Sequence, residues 1–474
     1  MTANPHGRIV VRSTEEDDVT DKATPTERKA QGKAIRKTVP RSSHAEWSPA
    51  QDRPDPVSMI TEQDAGRLQW LVPIRHYRMA ESAFSFYRGA AKIMASDLSG
   101  TPVTGLNAQI CGDAHLSNFG SFASPERQQV FDINDFDETL PGPWEWDLKR
   151  LATSFVLAGR DNGFDDDDIR TMTKNSVEGY RQAMVKFTAD STLDIWYAHL
   201  TLDQILDALP KKKDRKKGEK RAAKAHSKGS LSAMAKLTET VDGKARIKSE
   251  PPLLVPLRDV PRQGHPEELH KAIEESLTLY KETLNDDLKV LLNRYHIVDA
   301  AVKVVGVGSV GTRCLIVLLE GRDAGDPLFL QIKQADDSVL EEFLPKSPYP
   351  DHGHRVVEGQ RLMQAASDIF LGWSKDDKGS QFYWRQLYDM KGSADVAKMS
   401  ARRLSGYGSL CGWTLAHAHA RSGDQLEIAG YLGNSDTFAE AVTDFAFAYA
   451  DQNQSDYEAF TAAIASGRIA SAKG

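Results

Sequence analysis

Apolar positions along the chain alternate between helical and strand spacing, and the pattern predicts a mixed α+β protein. Residues 1–56 are polar and charged without apolar periodicity, and read as a flexible tail carrying a basic patch from Arg28 to Arg41. Apolar residues recur at helical spacing from Val57 to Leu71 and from Ser82 to Leu98. Two short strand-like pieces, AQIC and QQVFDI, follow, and helical spacing resumes from Trp146 to Leu157. Leu269, Ile273, Leu277, Tyr280, Leu284 and Leu288 predict one amphipathic helix between Glu267 and Leu292. The β-branched runs VVGVGSVGTRCLIVLLEG and PLFLQIKQA then read as a strand hairpin. A helix (HRVVEGQRLMQAAS), a strand (QFYWRQLY) and a long helix (SARRLSGYGSLCGWTLAHAHA) come next. Helical spacing returns from Thr437 to about Ala465.

Composition narrows the class. With 474 residues, 40% hydrophobic and 27% charged, the chain suits a soluble protein of more than one structural unit. A formal net charge of -7 argues against a general nucleic-acid binder. The basic run from Lys211 to Lys228 is expected to be a solvated loop or helix end. No apolar stretch reaches membrane-spanning length, and the N-terminal residues hold no apolar signal core. Cys111, Cys314 and Cys411 are scattered and form neither a disulfide framework nor a zinc pattern, so a reduced cytoplasmic setting is expected.

Candidate chemistry begins at CGDAHLSNFG, where Asp113 precedes Asn118, and continues at NDFDET with Asp135 and Asp137. Phosphoryl transfer needs a carboxylate to orient the nucleophile and hard oxygen ligands for magnesium. These segments resemble the H-G-D-x-H-x-x-N loop and I-D-F-D motif of aminoglycoside and choline kinase-like phosphotransferases. The resemblance implies that Asp113 is the catalytic base, Asn118 a magnesium ligand and Asp135 the main metal ligand, with Asp137 beside it. Cys111 departs from the motif, standing where the family has histidine. Read without the resemblance, Asp113 and Asn118 could close a turn, and Asp135 and Asp137 could cap a helix.

A second constellation is Gly306, Gly308 and Gly311, spaced G-x-G-x-x-G around Ser309. A dinucleotide-binding fingerprint must open a helix, whereas here the glycines run into the strand-like TRCLIVLLEG. A strand, glycine turn and strand is the kinase arrangement, in which backbone amides lie over the phosphates of ATP. Lys333, in LQIKQA, stands where a kinase keeps its phosphate-pairing lysine. Glu358 is its expected ion-pair partner, with Glu341 and Glu342 as competitors, and FYWRQLY the expected hinge strand.

In ordinary kinases the glycine loop comes first. The order here implies a two-lobed protein-kinase-like fold with circularly permuted lobes. The segment from Leu410 to Asp424 (LCGWTLAHAHARSGD) resembles the L-A-x-x-H helix that precedes the catalytic loop in small-molecule kinases. The chain as a whole looks like the bacterial domain-of-unknown-function family numbered 2252. The segments PRSSHAEW, RMAESAFSFYRGAA, CGDAHLSNFGSFASPER, VFDINDFDETLPGPWEWDLKRLA, GVGSVGTRC, EGQRLMQAASDIFLGW and LAHAHARSGD carry that likeness.

The expected organisation is a tail (1–56), a catalytic-loop part of the helical lobe (57–205) and a basic insert and linker (206–265). A nucleotide-grasping lobe (266–395) and C-terminal helices completing the helical lobe (396–474) follow. The expected activity is ATP- and magnesium-dependent phosphorylation of a small-molecule acceptor, without specific nucleic-acid or membrane partners. An AMP transferase on the same fold and a nucleotide-binding pseudokinase or scaffold are the alternatives. Arg75, Arg78 and Arg88, just upstream of the catalytic loop, could meet phosphates or pair with structural carboxylates. Asp147 is expected to hold that loop by hydrogen bonds.

Overall fold

The computed structural model describes residues 23–209, 211–227, 229–260, 266–387 and 389–474. The largest apolar core lies among the helices Trp144–Asp161, Asp166–Phe187, Ala401–Ala420 and Thr437–Ala465. Glycine lets two of them approach closely. A Cβ on Gly412 would lie 2.0 Å from the Ser176 carbonyl oxygen, and one on Gly179 would lie 2.5 Å from that of Ser409. Against this helical body stands a four-stranded sheet in the order Gly392–Ser393, Phe119–Ala123, Gln129–Ile133, Leu200–Thr201.

A second core belongs to a six-stranded antiparallel sheet. Its order is Gly372–Lys375, Gln381–Gln386, Pro327–Gln334, Cys314–Glu320, His296–Lys303, Leu254–Pro256. Strand alternation sends Leu330 and Ile332 to one face, where the helix Pro266–Glu282 covers them with Ile273, Leu277 and Tyr280. Tyr280 stacks on Trp384 with ring centroids 4.6 Å apart. The opposite face carries Ala301, Ile316, Leu318 and Phe329, packed by Ala233 and Leu237 of the helix Ser230–Leu237.

The α+β class agrees with the sequence pattern, and several boundaries differ from it. Within the expected tail, residues 1–22 lie outside the described residues, but Pro25–Ile35 is a helix and Arg41–Ala45 a 3-10 turn. Thr24 and Glu27 form a reciprocal capping box, and the helix crosses Gln425–Leu432 at two glycines. The basic patch is a clasp: Arg36 donates to the carbonyls of Gly430 and Tyr431, and Arg41 to that of Leu432. The basic run is a helix, Lys212–His226, with Ala225 buried. The expected boundary at 266 falls too late, because Leu254–Pro256 already pairs with His296–Lys303.

Two expected continuous helices are broken. Asn285 starts a new helix, Asp286–Leu292, and Gly89 ends Ala83–Arg88 before Ala91–Leu98 begins. Among the described residues no helix is long and apolar enough to cross a membrane.

Helical glycine-to-alanine changes normally gain about 0.5–1 kcal/mol. Gly406→Ala, with open space at its Cβ, should raise the melting temperature. Gly412→Ala, six positions along the same helix, should instead lose about 1–3 kcal/mol in a denaturant titration, because its Cβ meets backbone.

Candidate functional site

The strand Asn107–Ile110 runs out into Cys111 and Gly112. Gly112 has φ +76°, and a Cβ there would lie 2.6 Å from the Glu138 carbonyl, so the turn requires glycine. Asp147, in the first turn of Trp144–Asp161, accepts hydrogen bonds from the backbone N–H groups of Cys111 (2.8 Å) and Gly112 (2.9 Å). His419 Nε2 lies 3.3 Å from the same carboxylate. Ser154 Oγ accepts from Leu116 N–H, so one helix fixes both ends of the loop.

On this loop Asp113 Oδ1 accepts from Arg150 Nε at 2.5 Å. The Arg150 guanidinium lies 4.3 Å from the centre of the Tyr87 ring, which sets its plane. Burial raises the Asp113 carboxyl above its ordinary value, and the neighbouring Arg150 charge opposes that rise without cancelling it. The Asn118 side-chain amide donates to the Asp113 carbonyl at 2.8 Å, leaving its oxygen as the end available to a ligand.

The strand Gln129–Ile133 delivers Asp135 and Asp137 to the same region. Asp137 accepts from Lys333 Nζ at 2.5 Å and from the Tyr383 hydroxyl at 2.6 Å. Lys333 Nζ is 3.9 Å from Asp135. Burial and the neighbouring Asp137 raise the Asp135 carboxyl, with Lys333 opposing. For Asp137, burial is outweighed by Lys333 and the carboxyl is lowered. Burial would lower the Lys333 ammonium, but Asp135 and Asp137 raise it well above its ordinary value.

The glycine segment joins His296–Lys303 to Cys314–Glu320 and folds toward these carboxylates. Arg67 Nη1 donates to the carbonyls of Gly308 (2.9 Å) and Val310 (2.7 Å), and Leu68 N–H to that of Gly311 (2.7 Å). Val307 packs in an apolar cluster with Val57, Ile60 and Phe460, and Val310 in another with Leu71 and Ile74. Gly311 has φ +94°. Ser309 Oγ stands 3.4 Å from Asp137.

A cavity of about 480 Å³ lies between these parts. Asp113, Asn118, Asp135, Asp137, Gly306, Gly308 and Ser309 line it. Lys333, 2% exposed, meets it through Asp137 and Asp135, and Gly311 lies against the Arg67 side chain.

Glu358 is not brought to Lys333. It pairs with Arg361 at 2.7 Å, three positions on along the helix His352–Met363. That helix turns Arg355 inward instead, which donates to the carbonyls of Asp137, Thr139 and Asp336. Neither competitor serves, since Glu342 pairs with Lys92 and Glu341 lies 3.9 Å from Arg355. Among the upstream arginines, Arg75 pairs with Asp64 at 2.8 Å, Arg78 reaches the Val305 carbonyl at 3.4 Å, and Arg88 lines the cavity.

Beside Lys333 the sheet carries a polar network that the sequence reading did not single out. Arg385 Nε donates to Gln331 Oε1 at 2.9 Å, and Arg385 Nη1 to the Asn134 carbonyl at 3.2 Å. Gln331 Nε2 lies 3.2 Å from Cys314 Sγ. Strand alternation was the available signal, since Gln331 shares the face of Lys333 and Arg385 that of Tyr383.

Residues 67–463 match a family described as "Uncharacterized protein conserved in bacteria (DUF2252)". No curated protein and no solved structure matches the chain.

The Asp147 carboxylate holds two buried N–H groups, and loss of an acceptor leaves them unsatisfied. Asp147→Ala should therefore destabilise the protein by about 2–5 kcal/mol in a urea titration. Hydrogen exchange at Cys111 and Gly112 should accelerate more than at the rest of the sheet.

Proposed function

Since the chain belongs to this bacterial family, whose description assigns no activity, we propose its function from the site: transfer of a phosphoryl group from magnesium-bound ATP to a small molecule. The observation that carries this reading is the convergence of Asp113, Asn118, Asp135 and Asp137 with a glycine segment and the Lys333–Asp137 ion pair around one cavity. Strand order supports a kinase-like nucleotide lobe. The glycine segment links two adjacent strands, the third carries Lys333, and a helix follows before the next strand pair. The helix Ala401–Ala420 supports the permuted lobe order: it follows the glycine segment in sequence, yet its Tyr407 hydroxyl donates to the Leu116 carbonyl of the loop and its His419 meets Asp147.

The donor set suits magnesium, with a carboxylate and an amide oxygen presented by Asp135 and Asn118. Asp137 is already tied to Lys333 and Tyr383, so Asp135 and Asn118 are the main holders. Bound magnesium would neutralise phosphate charge there. Gly306 has open space where a Cβ would stand, which lets its backbone approach a phosphate. Asp113 accepts the acceptor's hydroxyl proton, and Arg150 fixes the carboxylate's direction.

AMP transfer with the nucleotide reversed is a second reading, and one observation favours it. Arg385, on the expected hinge strand itself, and Gln331 on the neighbouring strand make a polar network where a base would want an apolar surface.

ATP labelled at either the α or the γ phosphate, incubated with a small-molecule extract of bacterial cells, tests both. The γ label should pass to an acceptor, and Asp113→Asn should cut that transfer by about a hundredfold or more while ATP affinity holds. Undiminished turnover in the variant would remove Asp113 as the base, and transfer of the α label would favour the second reading.

A further inference from the structure

We infer that Arg88 is a catalytic residue that grips the phosphoryl group in transit, an inference that rests on the phosphotransferase reading above.

Arg88 closes the short helix Ala83–Arg88 and lies between the two halves of the site. Its own carbonyl oxygen is 3.3 Å from the point a Cβ on Gly308 would occupy, so it abuts the glycine segment. Arg88 lines the same cavity as Asp113 and Asp135, and burial lowers its guanidinium while Asp113, Glu81 and Asp135 oppose that fall.

Of the other cations around this cavity, Lys346 is exposed to solvent and three have partners. Arg67 donates to glycine-segment carbonyls, Lys92 pairs with Glu342, and Lys333 pairs with Asp137. Arg88 Nε is buried without a hydrogen-bond partner, and among the described residues no carboxylate pairs with Arg88. A largely buried guanidinium in that state is unfavourable unless an anion completes it. Its fork of donors matches phosphate oxygens.

The backbone around Arg88 is fixed from two sides. Arg75 Nη2 donates to the Gly89 carbonyl at 3.0 Å, and Arg75 is itself held by Asp64, which His76 also meets at 2.7 Å. On the other side Arg150 Nη2 donates to the Tyr87 carbonyl, and the Tyr87 hydroxyl donates to the Arg150 carbonyl. Arg150 is also the arginine that holds Asp113. One helical turn therefore sets the distance between the base and the unpaired cation, which is the preorganisation that electrostatic catalysis requires.

In the transfer step, the acceptor oxygen forms a bond to the γ phosphorus as the bond to the β,γ-bridging oxygen breaks. ADP leaves with that electron pair, and the acceptor's proton goes to Asp113. Negative charge on the equatorial oxygens meets Arg88, which also shields them from the Asp113 carboxylate.

Calorimetry with magnesium-ATP and magnesium-ADP tests this on the native protein, Arg88→Met and Arg88→Lys. Methionine keeps the aliphatic packing and removes the charge. Arg88→Met should weaken ATP about tenfold or more and leave ADP affinity unchanged, with Arg88→Lys intermediate. Equal weakening of both nucleotides, or of neither, overturns the inference alone. Failure of the native protein to bind either nucleotide overturns it together with the phosphotransferase reading.

Discussion

The salt bridge between Lys333 and Asp137 is the contact on which the arrangement depends. It joins side chains 196 positions apart and ties the six-stranded sheet to the loop that follows the four-stranded one. Lys333 is 2% exposed, and a charge so placed is tolerable only when its partners are exact. Asp137 also takes the Tyr383 hydroxyl, and Arg355 secures its carbonyl. Removing one member would strand the rest, a cost of about 3–5 kcal/mol in comparable buried pairs. The bridge therefore fixes the two sheets in one register and holds the carboxylates beside the glycine segment.

Around it the site is held by hydrogen bonds and apolar contacts. The loop that carries Asp113 hangs from a single helix through Asp147 and Ser154. The glycine segment, which in a kinase closes over phosphates as a flexible flap, is pinned here by Arg67 and by Val307 and Val310 in two apolar clusters. Arg67, Val57, Ile60, Leu71 and Ile74 of this pinning set precede the Asp113 loop, and Phe460 of the helix Thr437–Ala465 completes it. A site assembled in this way trades lid motion for preorganised charge.

The legible parts of the site were those written in local spacing. Asp113, Asn118, Asp135 and Asp137 stand within a loop-and-strand pattern, and strand-forming residues after Gly311 distinguish a hairpin from a helix-opening turn. What local spacing does not encode is the rotation of an element about its own axis. The helix His352–Met363 was recognisable, yet its rotation turns Arg355 to the site and leaves Glu358 with Arg361. The N-terminal clasp was hidden for a related reason. A short polar helix lacks an apolar stripe, and its stability comes from arginine bonds to carbonyls some 390 positions away and from a glycine crossing. At the break, Gly89 gives its carbonyl to Arg75, a contact across the turn that no periodicity reveals.

Magnesium-dependent nucleotide binding is the property on which the assignment of Asp135 turns. Calorimetry of ATP with and without magnesium, on the native protein and on Asp135→Asn, isolates the metal from the rest of the site. Magnesium should strengthen native ATP binding by about tenfold or more, and the variant should keep its magnesium-free affinity while losing that gain. A magnesium gain that survives Asp135→Asn, or a native protein indifferent to ATP under either condition, would contradict that assignment.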